Sequence, residues 1–213
     1  MPDLVIFDCD GVLVDSEPIA NRVLATMLDE LGLSMPQTEI FERFVGYSIP
    51  HCLKVIEELL GRPPPSEFRS ELQTRTFAAF RTELRAMRGI EDALDRLRTP
   101  ICVASSGDHE KMRTTLGLTG LLPRFEGRLF SVTQVENGKP APDVYLFAAA
   151  QMRADPTRCA VVEDTPPGVR AGVAAGMTVL GYCGWTPPEQ LVAAGAHRTF
   201  ADMRLLPGLL GGS

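Results

Sequence analysis

The sequence has few of the features that mark secreted, zinc-binding or membrane-spanning chains. Its five cysteines are widely spaced without a CxxC pair, and its three histidines are scattered. A disulfide framework or a zinc site is therefore disfavoured, and we expect a reduced, cytoplasmic protein. The opening MPDLVIFDCDG does not resemble a secretory signal. The longest uncharged run, residues 171–188, holds four glycines and ends in two prolines, so it predicts no membrane helix.

Basic residues are too few for a protein that binds nucleic acid or anionic membranes through bulk charge. The 21 Lys and Arg residues are outnumbered by 27 Asp and Glu residues, which gives a formal net charge of −6. A local basic pocket for a small anion stays compatible with this balance. We expect no nucleic-acid or membrane partner, and a monomer or weak dimer that acts on a small molecule.

Short apolar runs alternate with helical patterns in most of the chain. The runs that predict buried strands cover residues 4–7, 101–104, 159–162 and 177–180. The helical patterns lie near residues 108–117, 143–153 and 167–175. Strands and helices that alternate in this way indicate parallel βαβ units. The predicted fold class is therefore α/β, with a doubly wound, Rossmann-like parallel sheet.

The stretch between the first two predicted strands is amphipathic and has almost no strand-like run. One helical face carries Val23, Leu24, Met27, Leu28 and Leu31, and another carries Leu53, Ile56, Leu59 and Leu60. This pattern predicts an all-helical domain over residues 16–88. The α/β core would then consist of residues 1–15 and 89–213.

Two acidic residues follow the first predicted strand, at the edge where open α/β sheets bind ligands. Asp8 and Asp10 flank Cys9, and in an extended chain both project to one side. Carboxylates this close repel each other, and Mg²⁺ with its preference for oxygen ligands would relieve the repulsion. One Asp could attack phosphorus while the other moves the proton. An Asp-rich turn that merely closes the strand is the alternative.

Three further polar segments follow predicted strands or loops. Ser105 and Ser106 could seat a phosphate at a helix N-terminus, or the segment could simply cap that helix. Lys139 lies in the stiff sequence GKPAPD and could bind phosphate oxygens, or it could be a solvated loop residue. Glu163 and Asp164 end a buried strand, and Asp164 could complete the ligands of a cation. Helix capping by the following Thr-Pro pair is also expected there.

The four segments together resemble the signature motifs of the haloacid-dehalogenase superfamily. The run DCDGVLVDSE, from Asp8 to Glu17, is similar to the first motif. Ser105, Lys139 and the pair Glu163-Asp164 match the other three motifs in order. The resemblance extends over essentially the whole chain and points to the β-phosphoglucomutase-like group of sugar-phosphate phosphatases.

This resemblance implies a Mg²⁺-dependent phosphatase that acts on a small phosphorylated metabolite, a sugar or sugar-acid phosphate. Asp8 would form an aspartyl-phosphate, and Asp10 would protonate the leaving group and then activate water. The phosphoryl oxygens would be held by Ser105, the Ser106 amide and Lys139. The Mg²⁺ site would consist of Asp8, the Asp10 backbone carbonyl and Asp164, with Glu163 in support.

The resemblance also implies that residues 16–88 form a cap that closes over the site and selects the substrate. Its segment from Arg43 to Ser48 resembles the family's substrate-specificity loop. Gly46 would allow close approach, and Arg43 would contact an anionic or polyhydroxy substrate. A plain joint between two helices is the alternative.

Two departures from the family pattern disfavour a phosphosugar mutase, which is the alternative enzyme. The chain has Ile49-Pro50 where the mutases carry an arginine, and Ile19-Ala20-Asn21 where they carry a histidine. A dehalogenase is disfavoured because those enzymes lack an acid at the position of Asp10. A phosphate-receiving signalling domain is the non-enzyme alternative. Asp10 also disfavours it, because a general acid and base beside an aspartyl-phosphate promotes hydrolysis.

Overall fold

The computed structural model describes residues 1–44, 47 and 49–211, without the side chains of residues 37, 41 and 42. Within this part of the chain, the strands are β1 (Leu4–Phe7), β2 (Ile101–Ser105), β3 (Leu129–Ser131), β4 (Cys159–Glu163), β5 (Thr178–Tyr182) and β6 (Arg198–Phe200). They form one parallel sheet in the order β3-β2-β1-β4-β5-β6. The residues that follow β2, β1 and β4 therefore meet at one edge of the sheet.

Helices connect the strands and also fill the long interval between β1 and β2. In that interval lie α1 (Glu17–Glu30), α2 (Gln37–Phe44), α3 (Ile49–Leu60), α4 (Phe68–Glu83) and α5 (Ile90–Arg96). After β2 come α6 (His109–Leu118), α7 (Leu122–Phe125), α8 (Asp143–Gln151), α9 (Pro166–Ala174), α10 (Pro188–Ala193) and α11 (Leu206–Leu209).

The predicted α/β class and the four predicted strands are confirmed, with shifts of one or two residues at strand ends. The three helical patterns correspond to α6, α8 and α9. The sequence prediction lacks β3 and β6, which are the two edge strands. Each has only three residues, which is too short to show an apolar run or an alternation.

The central strand is buried on both faces. Val5 and Phe7 pack in one core with residues of α5 and α6, whereas Leu4 and Ile6 pack in a second core with residues of α8 and α9. Successive side chains of a strand point to opposite faces, and a parallel sheet covered by helices on both faces needs apolar residues at every position. This explains why LVIF is a continuous apolar run.

Helices α1 to α4 have an apolar cluster of their own, which includes Leu24, Leu28, Ile40, Ile56 and Phe68. We call residues 17–83 the helical insertion. The chain segments at its two ends are joined to each other, because Val14 forms an antiparallel bridge with Ala86. The Asp15 amide also donates to the Arg85 carbonyl at 3.0 Å. That residues 16–88 form a separate domain stays a prediction.

None of the helices in the described part of the chain combines the length and apolar character needed to cross a bilayer.

Helix α9 begins where the sequence predicts and lies very close to the sheet. The Thr165 side chain caps it by accepting from the Gly168 amide at 3.3 Å. A Cβ on Gly172 would come within 2.7 Å of the Val179 Cγ2 atom, so only glycine fits there. Gly176 has a different role, since it lies beyond the helix with a φ of 74° and open space around it.

We expect Gly172→Ala to destabilise the fold through overpacking against β5. The matched control is Gly117→Ala in α6, where the added methyl would approach Leu122 only to 4.0 Å. Both changes gain helix propensity, so their difference reports the packing cost, about 1–3 kcal/mol. Urea denaturation of the two variants measures it. Equal free energies of unfolding would contradict the close contact between α9 and the sheet.

Candidate active site

Asp8 is placed by the central strand and is almost fully buried. It directly follows β1, and its amide donates to the Val162 carbonyl of β4 at 3.0 Å. Its Oδ1 accepts from Lys139 Nζ at 2.5 Å, while Oδ2 accepts no hydrogen bond from the described residues. Burial raises the pKa of Asp8 to about 8, although Lys139 acts in the opposite direction. Burial thus opposes ionisation of this carboxylate, and the Lys139 ammonium group favours it.

Lys139 joins the ends of three neighbouring strands. Besides Asp8, its Nζ donates to Glu163 Oε1 at 2.8 Å and to the Ala104 carbonyl of β2 at 3.1 Å. Its side chain is only 2% exposed. Burial lowers the pKa of Lys139, but the carboxylates of Asp8 and Glu163 outweigh this effect and hold the pKa well above its ordinary value. The lysine is a buried cation fixed at the site.

The Glu163 carboxylate is saturated with hydrogen bonds from the described residues. Oε1 accepts from Lys139 and from the Tyr145 hydroxyl at 3.1 Å. Oε2 accepts from the amides of Asp164 and Thr165 and from the Thr165 hydroxyl. A Cβ on Gly168 would lie 1.6 Å from Oε1, so this glycine makes room for the carboxylate. Glu163 is thus arranged to support the site, and no lone pair points freely towards a metal ion.

Asp164 has the opposite environment. It is fully buried, and neither carboxylate oxygen has a hydrogen-bond partner among the described residues. Burial raises the pKa of Asp164 well above its ordinary value, and Glu163 and Asp8 add to the effect. A Cβ on Gly11 would lie 2.0 Å from Asp164 Oδ2, so this carboxylate rests against the segment that carries Asp8 and Asp10. A buried acid without a partner requires an explanation.

Both oxygens of Asp10 are engaged. Oδ1 accepts from the Ser16 hydroxyl at 2.6 Å, and Oδ2 accepts from Lys111 Nζ at 2.8 Å. Burial raises the pKa of Asp10, but Lys111 and Ser16 outweigh it, and the pKa lies below its ordinary value. Asp10 and Asp8 thus have different environments, although only Cys9 separates them.

The segment after β2 supplies hydroxyl and amide groups to the same place. Ser105 is buried, and its Oγ accepts from the Gly107 amide at 3.0 Å. Ser106 is half-buried and lines the same cavity as Asp8. Asp108 caps α6 by accepting from the Lys111 amide at 2.8 Å. Because Asp108 caps the helix, the two serines are not needed for capping and can serve a ligand.

A cavity of about 500 Å³ lies between the sheet edge and the helical insertion. The predicted residues that line it are Asp8, Asp10, Ser105, Ser106, Lys139 and Glu163, and Asp164 lies behind them against Gly11. Glu17 also lines it, and burial raises the pKa of Glu17 to about 7. The sequence analysis gave Ser16, Glu17, Lys111 and Tyr145 no role. Of these four residues, only Ser16 and Glu17 could have been predicted from the sequence, because they belong to the run that resembles the first motif.

Of the two residues that the sequence predicts in the insertion, Arg43 is not brought to this cavity. Arg43 is exposed, forms an ion pair with Glu39 at 2.8 Å and does not line the cavity. Gly46 lies outside the described residues. Tyr47, which follows it, does line the cavity. A substrate contact by Arg43 or Gly46 therefore stays a prediction.

The donor set fits a hard divalent cation such as Mg²⁺. Asp8, Asp10, Glu163 and Asp164 place four carboxylates here, against the two ammonium groups of Lys111 and Lys139. No three His, Cys, Asp or Glu side chains of the described chain are already arranged as metal ligands. The fit instead rests on the unpartnered oxygens of Asp164 beside the Asp8 segment. Mg²⁺ commonly uses one or two carboxylates and keeps several waters.

The acids that follow β1, the buried Lys139 and the acidic pair at the end of β4 lie at the topological switch point of the sheet, where open α/β sheets bind ligands. The model of the haloacid dehalogenase-like hydrolase family matches residues 2–176. The chain belongs to this family.

Relatives with similar sequences extend over nearly the whole chain. The 6-phosphogluconate phosphatase of Escherichia coli is 31% identical over 97% of this chain and 94% of its own length. A haloacid dehalogenase-like protein from Agrobacterium tumefaciens is 33% identical, with a TM-score of 0.86 over 99% and 98% of the two chains. A family hydrolase from Deinococcus radiodurans, solved with bound phosphate and sodium, is 33% identical with a TM-score of 0.79 over 98% and 95%.

We expect Asp164→Asn to abolish stabilisation of the fold by Mg²⁺. For the wild type, Mg²⁺ at about 100 times its dissociation constant should add about 2.7 kcal/mol to the free energy of unfolding. The variant should gain almost nothing. In EDTA it should be at least as stable as the wild type, because it lacks a buried carboxylate without a partner.

Urea denaturation with Mg²⁺ and with EDTA measures both effects. The control is Asp29→Asn, an exposed change on α1, which should keep the full response to Mg²⁺. An Asp164→Asn protein that Mg²⁺ still stabilises as strongly as the wild type would exclude Asp164 as a ligand.

Proposed function

We propose that the protein is a Mg²⁺-dependent phosphatase that hydrolyses a sugar or sugar-acid phosphate through an aspartyl-phosphate on Asp8. The observation that carries this proposal is the environment of Asp8. One of its oxygens is held by Lys139, and the other has no partner in the described chain and belongs to a residue that lines the cavity. The Escherichia coli relative is named a 6-phosphogluconate phosphatase, which supports this class of substrate.

In the first half of the reaction, Asp8 Oδ2 attacks the phosphorus of the substrate. A bond forms between this oxygen and phosphorus, and the bond between phosphorus and the leaving-group oxygen breaks. Asp10 first takes up a proton from solvent in the substrate complex, because Lys111 and Ser16 favour its ionised form in the free protein and lower its pKa. It donates this proton to the leaving-group oxygen, so that the leaving group departs as a neutral alcohol. In the free protein the pKa of Asp8 is raised and that of Asp10 is lowered. The two roles therefore require that bound Mg²⁺ favours the ionised form of Asp8 and that Asp10 loses its ion pair with Lys111.

In the second half, water attacks the phosphorus of the aspartyl-phosphate. Asp10, now ionised, accepts a proton from this water, and the bond between Asp8 and phosphorus breaks. Inorganic phosphate leaves, and both carboxyl groups return to their initial protonation states. The Ser16 hydroxyl, 2.6 Å from Asp10 Oδ1, orients the Asp10 carboxylate during this exchange.

The transferring phosphoryl group needs donors, because phosphoryl transfer depends mainly on positioning and on neutralising charge. Lys139 Nζ, the Ser105 hydroxyl and the Ser106 amide would hold its oxygens. Mg²⁺, held by Asp8, the Asp10 carbonyl and Asp164, would neutralise negative charge on the phosphate and favour the ionised form of Asp8. Glu163 would keep Lys139 in place.

The helical insertion would act as a cap that encloses the leaving group. Its residues Asn21, Tyr47 and Gln73 line the cavity opposite the strand ends. Polar and aromatic groups of this kind suit a polyhydroxy chain. A cap that covers the site would exclude water from the first step.

A panel of phosphorylated metabolites, assayed for phosphate release with Mg²⁺ and with EDTA, tests the proposal. We expect Mg²⁺-dependent release from a few sugar or sugar-acid phosphates. Proton NMR of the same mixtures would reveal an isomerised sugar phosphate, the product expected of the mutase alternative. No release from any member of the panel would refute the proposed function.

Asp8→Asn should lower turnover by about a thousandfold or more, because the amide cannot attack phosphorus. The fold should be retained, since Asn has the same shape. The exposed change Asp95→Asn controls for the loss of a carboxylate elsewhere. Residual activity above about a tenth of the wild type would remove Asp8 from the role of nucleophile.

Asp10→Asn should lower turnover by about a hundredfold to ten-thousandfold and leave labelled phosphate trapped on Asp8. Rapid quench followed by peptide mapping detects the trapped phosphate. If no label is trapped while ¹⁸O from water enters phosphate in a single step, the two-step mechanism is wrong.

A further inference from the structure

Lys111 lines the cavity, and the proposed reaction does not use its side chain. It lies in the first turn of α6, and its Nζ donates to Asp10 Oδ2 at 2.8 Å. The lysine side chain is 29% exposed, against 14% for Asp10. The ammonium group therefore lies on the cavity wall, where a substrate can reach it.

The contacts that cap α6 and pack it on the sheet do not involve this ammonium group. The Lys111 backbone, and not its side chain, completes the Asp108 cap of α6. The helix packs on the sheet through the buried residues Met112, Thr115 and Leu116. The stem of Lys111 lies against Gly107, where an added Cβ would come 3.2 Å from Lys111 Cδ. The side chain is thus held beside the serine segment and directed at Asp10.

The ion pair creates a conflict with the proposed role of Asp10. With Ser16 on Oδ1 and Lys111 on Oδ2, both oxygens of this carboxylate are occupied. Asp10 must offer one oxygen to the leaving group and then to water. The Ser16 contact comes from the start of α1, whereas Lys111 has a flexible stem that can turn aside. The oxygen most easily released is therefore Oδ2.

A second anionic group on the substrate would provide the alternative partner for Lys111. Across the cavity, α4 presents Arg69, which forms no ion pair with any described residue. Gln73 of α4 donates to Glu110 of α6 at 3.3 Å, so this part of the insertion lies next to Lys111. A leaving group that extends from Asp8 towards α4 would therefore pass Lys111. Glu17 lies on the same wall and could accept from a substrate hydroxyl.

We propose that Lys111 recognises a carboxylate on the leaving group and, by exchanging Asp10 for that carboxylate, frees Asp10 Oδ2 for proton transfer. The exchange replaces one carboxylate partner with another, so the charge state of Lys111 does not change. This inference rests on the proposed phosphatase function and narrows its substrate class to sugar-acid phosphates. Selection would then act on turnover, and not on binding alone.

The test uses two substrates that differ at one carbon. 6-Phosphogluconate carries a carboxylate at C1, and glucitol 6-phosphate carries a hydroxymethyl group there. Wild-type enzyme should prefer 6-phosphogluconate by about tenfold or more in kcat/KM. Lys111→Met should raise kcat for glucitol 6-phosphate towards that for 6-phosphogluconate, because Asp10 Oδ2 is then free with either substrate. It should also raise KM for 6-phosphogluconate by about tenfold, because the partner of the substrate carboxylate is lost, so the preference for the acid disappears. Lys111→Arg should restore most of the preference.

Arg113→Met is the matched control, because it removes a cation from the same helix at an exposed ion pair with Glu126. It should leave the preference between the two substrates unchanged. Thermal melting of each variant establishes that the fold is retained.

Two results would overturn the inference while leaving the phosphatase intact. One is a wild-type enzyme that releases phosphate from panel substrates without preferring the acid. The other is a Lys111→Met enzyme that loses both substrates by the same factor, which would assign Lys111 to the positioning of Asp10 alone. A wild-type enzyme that is silent on the whole panel would instead refute the proposed function.

Discussion

The contact of the Lys139 ammonium group with Asp8 and Glu163 is the interaction on which the arrangement of the site depends. It brings together residues that follow or end β1 and β4, and through the Ala104 carbonyl it also reaches β2. A buried ammonium group has a large desolvation cost, which only close partners on several sides can offset. Its removal would leave two carboxylates side by side in a water-poor environment. The carboxyl ends of the three central strands therefore form one electrostatic unit.

Not every carboxylate of this unit has a hydrogen-bond partner within the described chain. Glu163 has partners for both of its oxygens, whereas the adjacent Asp164 has none among the described residues. Of these two consecutive acids, Glu163 therefore has no oxygen free to bind a ligand, whereas both oxygens of Asp164 are free to do so within the described part of the chain. A purely structural role would favour partners for both, because an unpaired buried acid lowers stability. The unpaired state of Asp164 is understandable if the site holds a cation that completes it.

The sequence allowed prediction of the parts of this protein that depend on local pattern. Continuous apolar runs identify β1, β2, β4 and β5, and the polar residues that follow such runs predict Asp8 and Asp164 as candidate site residues. The two edge strands are too short for any pattern. The sequence did not predict Lys111 as a site residue for another reason. Its place in the site depends on a contact with Asp10, which lies 101 positions away in the sequence. Nothing in the local sequence of a helix distinguishes a lysine in the cavity from one in water.

Asp8 and Asp10 are separated by one residue, yet their carboxylates accept hydrogen bonds from different parts of the molecule. Asp8 is held by Lys139 of the α/β core alone. Asp10 is held by Lys111 of the core and by Ser16, which directly precedes α1. The segment before Ser16 is joined to the returning chain by the hydrogen bond from Asp15 to Arg85. Asp10 is therefore linked directly to the residue that precedes the helical insertion, whereas the hydrogen bonds of the Asp8 side chain within the described chain come from the α/β core. For a phosphatase of the proposed kind, this division separates the fixed nucleophile from a proton carrier that can respond to the substrate enclosed by the insertion.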